Sequence, residues 1–253
     1  MGIVNATPDS FSDGGDTFAP DDAVARGLQQ MKDGADIIDI GGESTRPGAT
    51  PVSPEEEVLR VVPVVTALAQ AGAVVSIDTR HAAVMTAAVA AGARIINDVS
   101  ALEGERASLG VAAASGADIV LMHMPGTPQT MRDHTRYADV VEDVFAYLAR
   151  RIAACEAAGI ARERLCVDPG FGFGKVAEDN ERLLGRLGRF MDLGCPILVG
   201  LSRKFGKGQP PKERLAQSLA KAAEAVARGA DILRVHDVVE TVEMLGKIER
   251  EKR

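Results

Sequence analysis

Asp168 heads the stretch Asp168-Pro169-Gly170-Phe171-Gly172-Phe173-Gly174-Lys175, and the residues before it, Arg164-Leu165-Cys166-Val167, read as a short apolar strand. A carboxylate therefore stands where a buried element ends, and burying such a charge without a partner is costly. The alternating glycines that follow let the backbone bend and let a flat ligand come close, with two Phe rings offering apolar faces. Two phosphate-loop templates fail here. A Walker loop ends in Gly-Lys-Ser/Thr, but Val176 follows Lys175, and Gly-x-Gly-x-x-Gly would need glycine where Lys175 stands. What remains is a strand-end carboxylate that grips a flat polar ligand, or else a tight structural loop with a capping Asp.

Other polar residues close apolar runs in the same way: Asn5, Glu43, Asp78, Asn97, His123, Lys204, and Arg234 with His236. Asp168 and Asn97 together suit a donor–acceptor edge such as an amino group beside a ring N–H, because a carboxylate accepts two such donors at once. Asp78 offers a further acceptor, or caps the helix that begins near His81. Lys204 can donate to a ring carbonyl, while Arg203 beside it reads as a solvated neighbour. Arg234 and His236 are two apart, so both heads point to one side of a strand and can meet one anion. Arg46 can add a bidentate clamp. Asn5 has a neutral amide oxygen suited to Mg²⁺ held mainly by substrate phosphates. His123 reads as a hydrogen-bonded structural histidine, and His81 and His134 as surface residues.

These groups need elements to position them. Strands are expected at Gly2–Asn5, Asp36–Ile40, Val74–Asp78, Arg94–Asn97, Asp118–Met122, Leu165–Asp168, Pro196–Gly200 and Asp231–Val235. Helices are expected at Asp21–Asp33, Pro54–Gln70, Ala82–Ala91, Glu105–Ser115, Ala138–Ala157, Asp179–Phe190, Lys212–Ala227 and Val239–Arg250. Four helices end on Gly-Ala pairs, Gly34-Ala35, Gly92-Ala93, Gly116-Ala117 and Gly229-Ala230, the left-handed stop of a helix before the next strand. Pro63 should kink its helix. Eight βα units without a linker imply one domain over residues 1–253, a parallel (β/α)8 TIM barrel, with a doubly wound open sheet as the alternative. In a barrel the polar strand ends share one rim, where ligands bind. The Gly/Pro/Ser/Thr-rich stretches Thr7–Thr17 and Ser44–Ser53 leave that rim and have the composition of active-site lids or of surface turns.

Composition narrows the function. The 253 residues include no Trp and only 4% aromatics, with 29 basic against 36 acidic residues for a net charge of −7. That argues against nucleic acid and anionic membrane as partners. The odd trio Cys155, Cys166 and Cys195 lies in apolar contexts without metal-ligand spacing, as expected of reduced core thiols in the cytoplasm. No run approaches the ~18 apolar residues of a membrane span, and no signal peptide precedes Asp9.

The segments Asn5–Gly15, Asp36–Gly48, Val75–Thr79, Gly92–Asp98, Leu121–Met124, Asp168–Lys175, Ser202–Lys204 and Arg234–Val238 together resemble dihydropteroate synthase, in family order and across nearly the whole chain. The resemblance implies a (β/α)8 enzyme, usually dimeric, that joins 4-aminobenzoate to a 6-hydroxymethyl-dihydropterin diphosphate and releases diphosphate. It implies that Asp78, Asn97, Asp168 and Lys204 hold the pterin, with Phe173 and Arg234 against its faces. Asp78, Asp168, Lys204 and Arg234 are then the catalytic set. Thr45, Arg46, Arg234 and His236 meet the diphosphate, and Asn5 the Mg²⁺. Phe11, Thr45, Pro47, Ser202 and Lys204 line the aminobenzoate side, the target of sulfonamides. The expected partners are these small molecules and a second copy in a homodimer. Two stretches depart from the family. The first strand begins almost at Met1, without the segment that commonly precedes it, and Phe205-Gly206-Lys207-Gly208 follows Lys204 where the family usually has Ser and a longer apolar run. Two other functions share the pterin grip: a methyltransferase acting on a corrinoid protein, which has no need of the diphosphate cluster, and a pterin-binding protein without turnover.

Overall fold

The structure is a computed structural model that describes residues 1–7, 20–44, 51–204 and 210–251. Strands and helices alternate throughout: β1 (Gly2–Asn5), α1 (Pro20–Lys32), β2 (Ile37–Gly41), α2 (Pro54–Gln70), β3 (Val74–Asp78), α3 (Ala82–Ala90), β4 (Ile95–Asp98), α4 (Ser108–Ser115), β5 (Asp118–Met122), α5 (Val140–Ala157), β6 (Leu165–Asp168), α6 (Ala177–Gly185), β7 (Leu198–Val199), α7 (Pro211–Ala227), β8 (Ile232–Leu233) and α8 (Val238–Glu251). β1 to β6 pair in sequence order as one parallel sheet, and β7 pairs with β8. Single parallel bridges, Val167 with Ile197 and Gly2 with Val235, join the two sheets at both edges and close the ring. The backbone bonds Val167 N–H to Pro196 O at 2.9 Å and Ile3 N–H to Val235 O at 3.0 Å carry that closure. The fold is the expected TIM barrel rather than an open sheet.

Strand alternation sorts the side chains into two shells. Outward residues such as Ile38, Ile40, Val75, Ile77, Ile96, Ile119, Leu121 and Val167 pack under the helices as one buried core with Val61, Leu68, Leu148, Phe171 and Phe190. Inward residues at the lower end of the barrel form a separate apolar plug: Ile95, Val120, Cys166 and Leu198, with Met1, Ile37, Val74 and Ile232 packed against them. A chain that turns from helix to strand so tightly needs an abrupt stop. Gly34, Gly92, Gly116 and Gly229 supply it, all at positive φ. After three of them the Ala N–H reaches back to the helix, as in Ala35 to Gln30 O at 2.9 Å.

Four sequence expectations shift. Strands at Pro196–Gly200 and Asp231–Val235 shrink to two-residue ladders. There Ile197 N–H donates to the Asp231 carboxylate at 2.8 Å, so a side chain replaces a rung of the ladder. The helix expected from Glu105 starts at Ser108, because Glu105 reaches across to accept from Ala82 N–H at 3.0 Å at the start of α3. The helix expected over Asp179–Phe190 ends at Gly185 and continues as a 3-10 turn, Leu187–Leu193. α2 opens on a Ser53 hydroxyl cap with Pro54 in its first turn and continues as one helix through Pro63 to Gln70.

Behind the rim, Glu57 of α2 is fully buried, with the Thr79 hydroxyl the group that opposes the rise in its pKa. Burial pushes its carboxyl up to about 8, with the charges of Glu43 and Asp78 adding to the shift. The folded chain therefore holds a proton there that the unfolded chain releases near 4.5, and wild-type stability falls as pH rises through the window from about 4.5 to about 8. Glu57→Gln removes this titration. Its melting temperature relative to wild type is expected to climb across that window and level off above it, at about 2–4 °C per kcal/mol for a chain of this size. A difference independent of pH in thermal melts would contradict the assignment.

Candidate functional site

One step of alternation above the apolar plug, the inward residues turn polar. Two positions on from Ile37, Ile95, Cys166 and Ile232 stand Asp39, Asn97, Asp168 and Arg234, and two steps on from Val74 stands Asp78. The mouth of the barrel is thus a polar layer resting directly on a dry one. Arg234 is its hub. The guanidinium donates from Nε to Asp39 Oδ2 and from Nη2 to Asp78 Oδ2, both at 2.6 Å. Asn97 joins the same group, with Nδ2 at 3.3 and 3.4 Å from the Asp39 oxygens. Burial acts to lower the Arg234 pKa, but the charges of Asp39 and Asp78 outweigh it and hold the guanidinium charged. Burial also pushes the Asp78 carboxyl up, and Arg234 opposes that shift.

Across the mouth, Asp168 accepts from Gly170 N–H at 2.7 Å, so the carboxylate fastens the glycine turn that follows it. Burial raises its pKa, against Lys204 and the Gly170 amide. Lys204 lies just past β7, after Arg203 at φ 61°. Its Nζ donates to Phe171 O at 2.6 Å and stands 4.7 Å over the Phe173 ring. Burial lowers the Lys204 ammonium to about 8, with Asp168 opposing. Ser202 Oγ lies 3.0 Å from His236 Nδ1, which brings the end of β7 and the end of β8 together. Asn5 closes β1, half-buried.

The structure brings together Asp78, Asn97, Asp168, Phe173, Lys204, Ser202, Arg234 and His236 around the mouth formed by the strands' carboxyl ends. Phe11, Thr45, Arg46 and Pro47 lie outside the described residues, as do residues 205–209. Among the described residues no group of three or more His, Cys, Asp or Glu side chains could hold a metal ion.

Three readings need correction. Asp78 does not cap α3, because Glu105 and Thr79 serve the first amides there while Asp78 turns inward to Arg234. Phe171 offers no ring face to a ligand, being buried in the core under the helices. His81 is not a surface residue: it is buried, with Nδ1 2.6 Å from Glu105. Glu43 next to it takes both Arg80 Nε and Nη2, at 2.9 and 3.1 Å, and Val52 N–H at 3.2 Å. Arg203 is a half-exposed neighbour paired with Asp237 at 2.6 Å. His123 is the hydrogen-bonded histidine expected, with Nδ1 2.9 Å from Lys175 Nζ. Two residues at the mouth escaped the strand-end reading, Asp39 and Lys175. Asp39 had a signal, a lone carboxylate inside Ile37-Ile38-Asp39-Ile40.

Residues 1–236 match a family model described as pterin binding enzyme. The curated dihydropteroate synthase of Escherichia coli K12 is 50% identical over 254 residues, covering 98% of this chain and 90% of that protein. A solved structure of Xanthomonas albilineans dihydropteroate synthase with 4-aminobenzoic acid superposes with a TM-score of 0.93 at 49% identity, over 100% of this chain and 92% of that one. The enzyme of the same organism in complex with 7,8-dihydropteroate superposes at 0.89 with 46% identity, over 100% and 92% of the two chains.

Asp39→Asn tests the hub. The substitution leaves Arg234 with Asp78 alone and turns one oxygen facing Asn97 into a donor. Removing one partner of a buried ion group should cost about 3–5 kcal/mol of stability, read from urea unfolding. A loss below about 0.5 kcal/mol, the range of an ordinary surface change, would show that the pair with Asp78 suffices.

Proposed function

The chain belongs to the dihydropteroate synthases of the pterin-binding enzyme family, and from there we propose how its barrel mouth divides the work. The enzyme joins 4-aminobenzoate to 6-hydroxymethyl-7,8-dihydropterin diphosphate and releases diphosphate, a step of folate biosynthesis. The observation that supports the division is the polar layer itself, with carboxylate and amide acceptors on one side and the Lys204 ammonium on the other. In our reading Asp168 and the Asn97 oxygen accept from the amino and ring N–H edge of the pterin, with Asp78 as a further acceptor. Lys204 donates to the ring carbonyl. Phe173 and Arg234 bracket the ring faces. His236 and Arg234, with Thr45 and Arg46, meet the diphosphate. Ser202 and Lys204, with Phe11, Thr45 and Pro47, line the aminobenzoate side.

The bond changes follow from these places. The methylene C–O bond to diphosphate breaks, and the electron-rich pterin spreads the positive charge that develops on carbon. The arylamine nitrogen then forms the C–N bond and sheds one proton to the departing diphosphate. Cationic donors act where negative charge grows on the leaving group, which is where electrostatic stabilisation counts most. The half-buried Asn5 amide supplies one neutral oxygen of the hard-donor kind Mg²⁺ prefers, so a Mg²⁺ there would take its remaining ligands from diphosphate and water. When bound, it would neutralise charge on the leaving group. We further propose a cytoplasmic homodimer. Three buried, unpaired cysteines suit a reducing compartment, and Val239 and Val242, exposed on α8, suit a partner face.

Two measurements test the division. Asp168→Asn keeps the shape but removes the charge and replaces one acceptor with a donor, so pterin affinity in titration calorimetry should fall by about 1.5–3 kcal/mol, roughly 10- to 150-fold. Unchanged affinity would remove Asp168 from the pterin grip. The Lys204 ammonium is present below about 8 and lost above it, so kcat/KM for the pterin diphosphate should drop as pH rises through about 8. Lys204→Arg should move that alkaline limb to higher pH, whatever it does to the rate. A limb that stays in place would assign it to another group.

A further inference from the structure

The glycine-rich loop after β6 is wrapped around an ammonium group. Lys175 is buried, and its Nζ lies 2.9 Å from Gly170 O, 3.0 Å from Phe173 O, 3.2 Å from His123 O and 2.9 Å from His123 Nδ1. A solvated lysine would not gather three carbonyls and a ring nitrogen, and burial brings the Lys175 ammonium down to about 7, so it meets these groups as a cation below that pH and as a neutral amine above it. The backbone is shaped to allow it. Gly170 and Gly174 sit at φ 73° and 59°. A Cβ on Gly170 would stand 1.9 Å from His123 O, and one on Gly174 would stand 2.2 Å from Pro125 Cγ. Neighbours complete the wrapping. Tyr137 Oη donates to Gly174 O at 2.9 Å, and Gly172 N–H donates to Asn180 Oδ1 at 2.7 Å. The His123 ring is neutral, since burial and the adjacent Lys175 charge bring its pKa down to about 2.

We propose that Lys175 is a positioning residue for the pterin site, its buried Nζ folding the loop 169–174 so that Asp168 and Phe173 present their binding groups. The coupling is direct. Gly170, whose carbonyl Lys175 holds, is the residue whose N–H holds the Asp168 carboxylate, and the second carbonyl Lys175 holds is that of Phe173. Of the two carbonyls between them, Phe171 O goes to Lys204. The loop is therefore threaded between two lysine Nζ groups, one facing the substrate and one behind it. The inference rests on the reading of Asp168 and Phe173 as pterin contacts, and it adds Lys175 as the group that sets them. A phosphate-loop lysine reaches outward to its ligand; this one is turned inward to its own backbone.

The test compares wild type with Lys175→Met, which keeps the apolar stem and removes the donors. KM for the pterin diphosphate should rise roughly tenfold or more, while KM for 4-aminobenzoate at saturating pterin diphosphate and kcat stay within about threefold. A role confined to stability would lower the melting temperature and the active fraction and leave the pterin KM in place, and that result would overturn the proposal. A second measurement needs no variant. In the unliganded wild type, hydrogen exchange of the peptide spanning 169–175 should be slow, because Gly170, Gly172 and Phe173 N–H groups are already bonded. Fast exchange that slows only on adding a pterin would mean that the ligand sets the loop, and would overturn the proposal even if the Met variant fails to fold. Wild-type formation of dihydropteroate, measured in parallel, separates this inference from the assignment of the site: its absence would sink the assignment, while the exchange result still judges Lys175.

Discussion

Charge inside a barrel has to be answered by charge. The interior of this one is apolar up to the plug, and the next inward layer carries Asp39, Asp78, Asp168 and Arg234. Desolvating any of these alone would cost several kcal/mol. The guanidinium of Arg234 resolves the problem for two carboxylates at once, at 2.6 Å to each. The pairing also orients. Asp39 is held by Arg234 and in turn receives the Asn97 amide, so one ion triad sets residues from β2, β3, β4 and the segment after β8. A ligand that meets this mouth finds acceptors already aimed, which is the condition for binding without a large reorganisation cost.

Rigid strands place these groups only as well as the loops above them stay folded, and two loops show how that is done. After β4, the Asp98 carboxylate accepts from Ser100 N–H, Ser100 Oγ and Leu102 N–H at 2.7 to 2.9 Å. The chain passes through Ala101 and Leu102 at φ 50° and 64°, a region that side chains with a Cβ rarely occupy. Arg151 of α5 secures the turn from outside by donating to Ala101 O at 2.9 Å. After β6 the same end is reached by glycine and a buried lysine. Both loops follow a strand that carries a pterin-gripping residue of our proposal at or next to its last position, Asn97 in one case and Asp168 in the other.

The order of elements was legible in the sequence because helix stops and strand starts are local chemistry: Gly-Ala pairs, apolar runs of four or five, and caps such as Ser53. The rim was legible because a polar residue closing an apolar run is visible without coordinates. Asp39 was not, since it sits inside its strand rather than at the end, and a strand buried on both faces has no fixed alternation to mark which residues turn inward. His81 and Glu105 were misread because their partner lies in a different βα unit, at a distance no local pattern encodes. Lys175 follows a glycine loop, where experience with phosphate loops looks for an outward charge; only the positive φ angles of Gly170 and Gly174 turn the carbonyls toward it.

The closure of the ring has a bearing on how the chain assembles. β1 to β6 form one uninterrupted arc, while β7 and β8 form a short arc joined to it by a single bridge at each side. The carboxylates Asp39, Asp78 and Asp168 belong to the long arc, and the cations Lys204 and Arg234 to the short one. The opposite charges of the mouth therefore face one another across the two weakest seams, and the same groups that meet the substrate draw the last arc into place. On a ribosome the long arc emerges first, with an acidic mouth and an open edge on either side. The ring can be sealed only once residues 196–235 arrive, bringing the matching positive charge. Each seam thus pairs a thin backbone connection with a charged one.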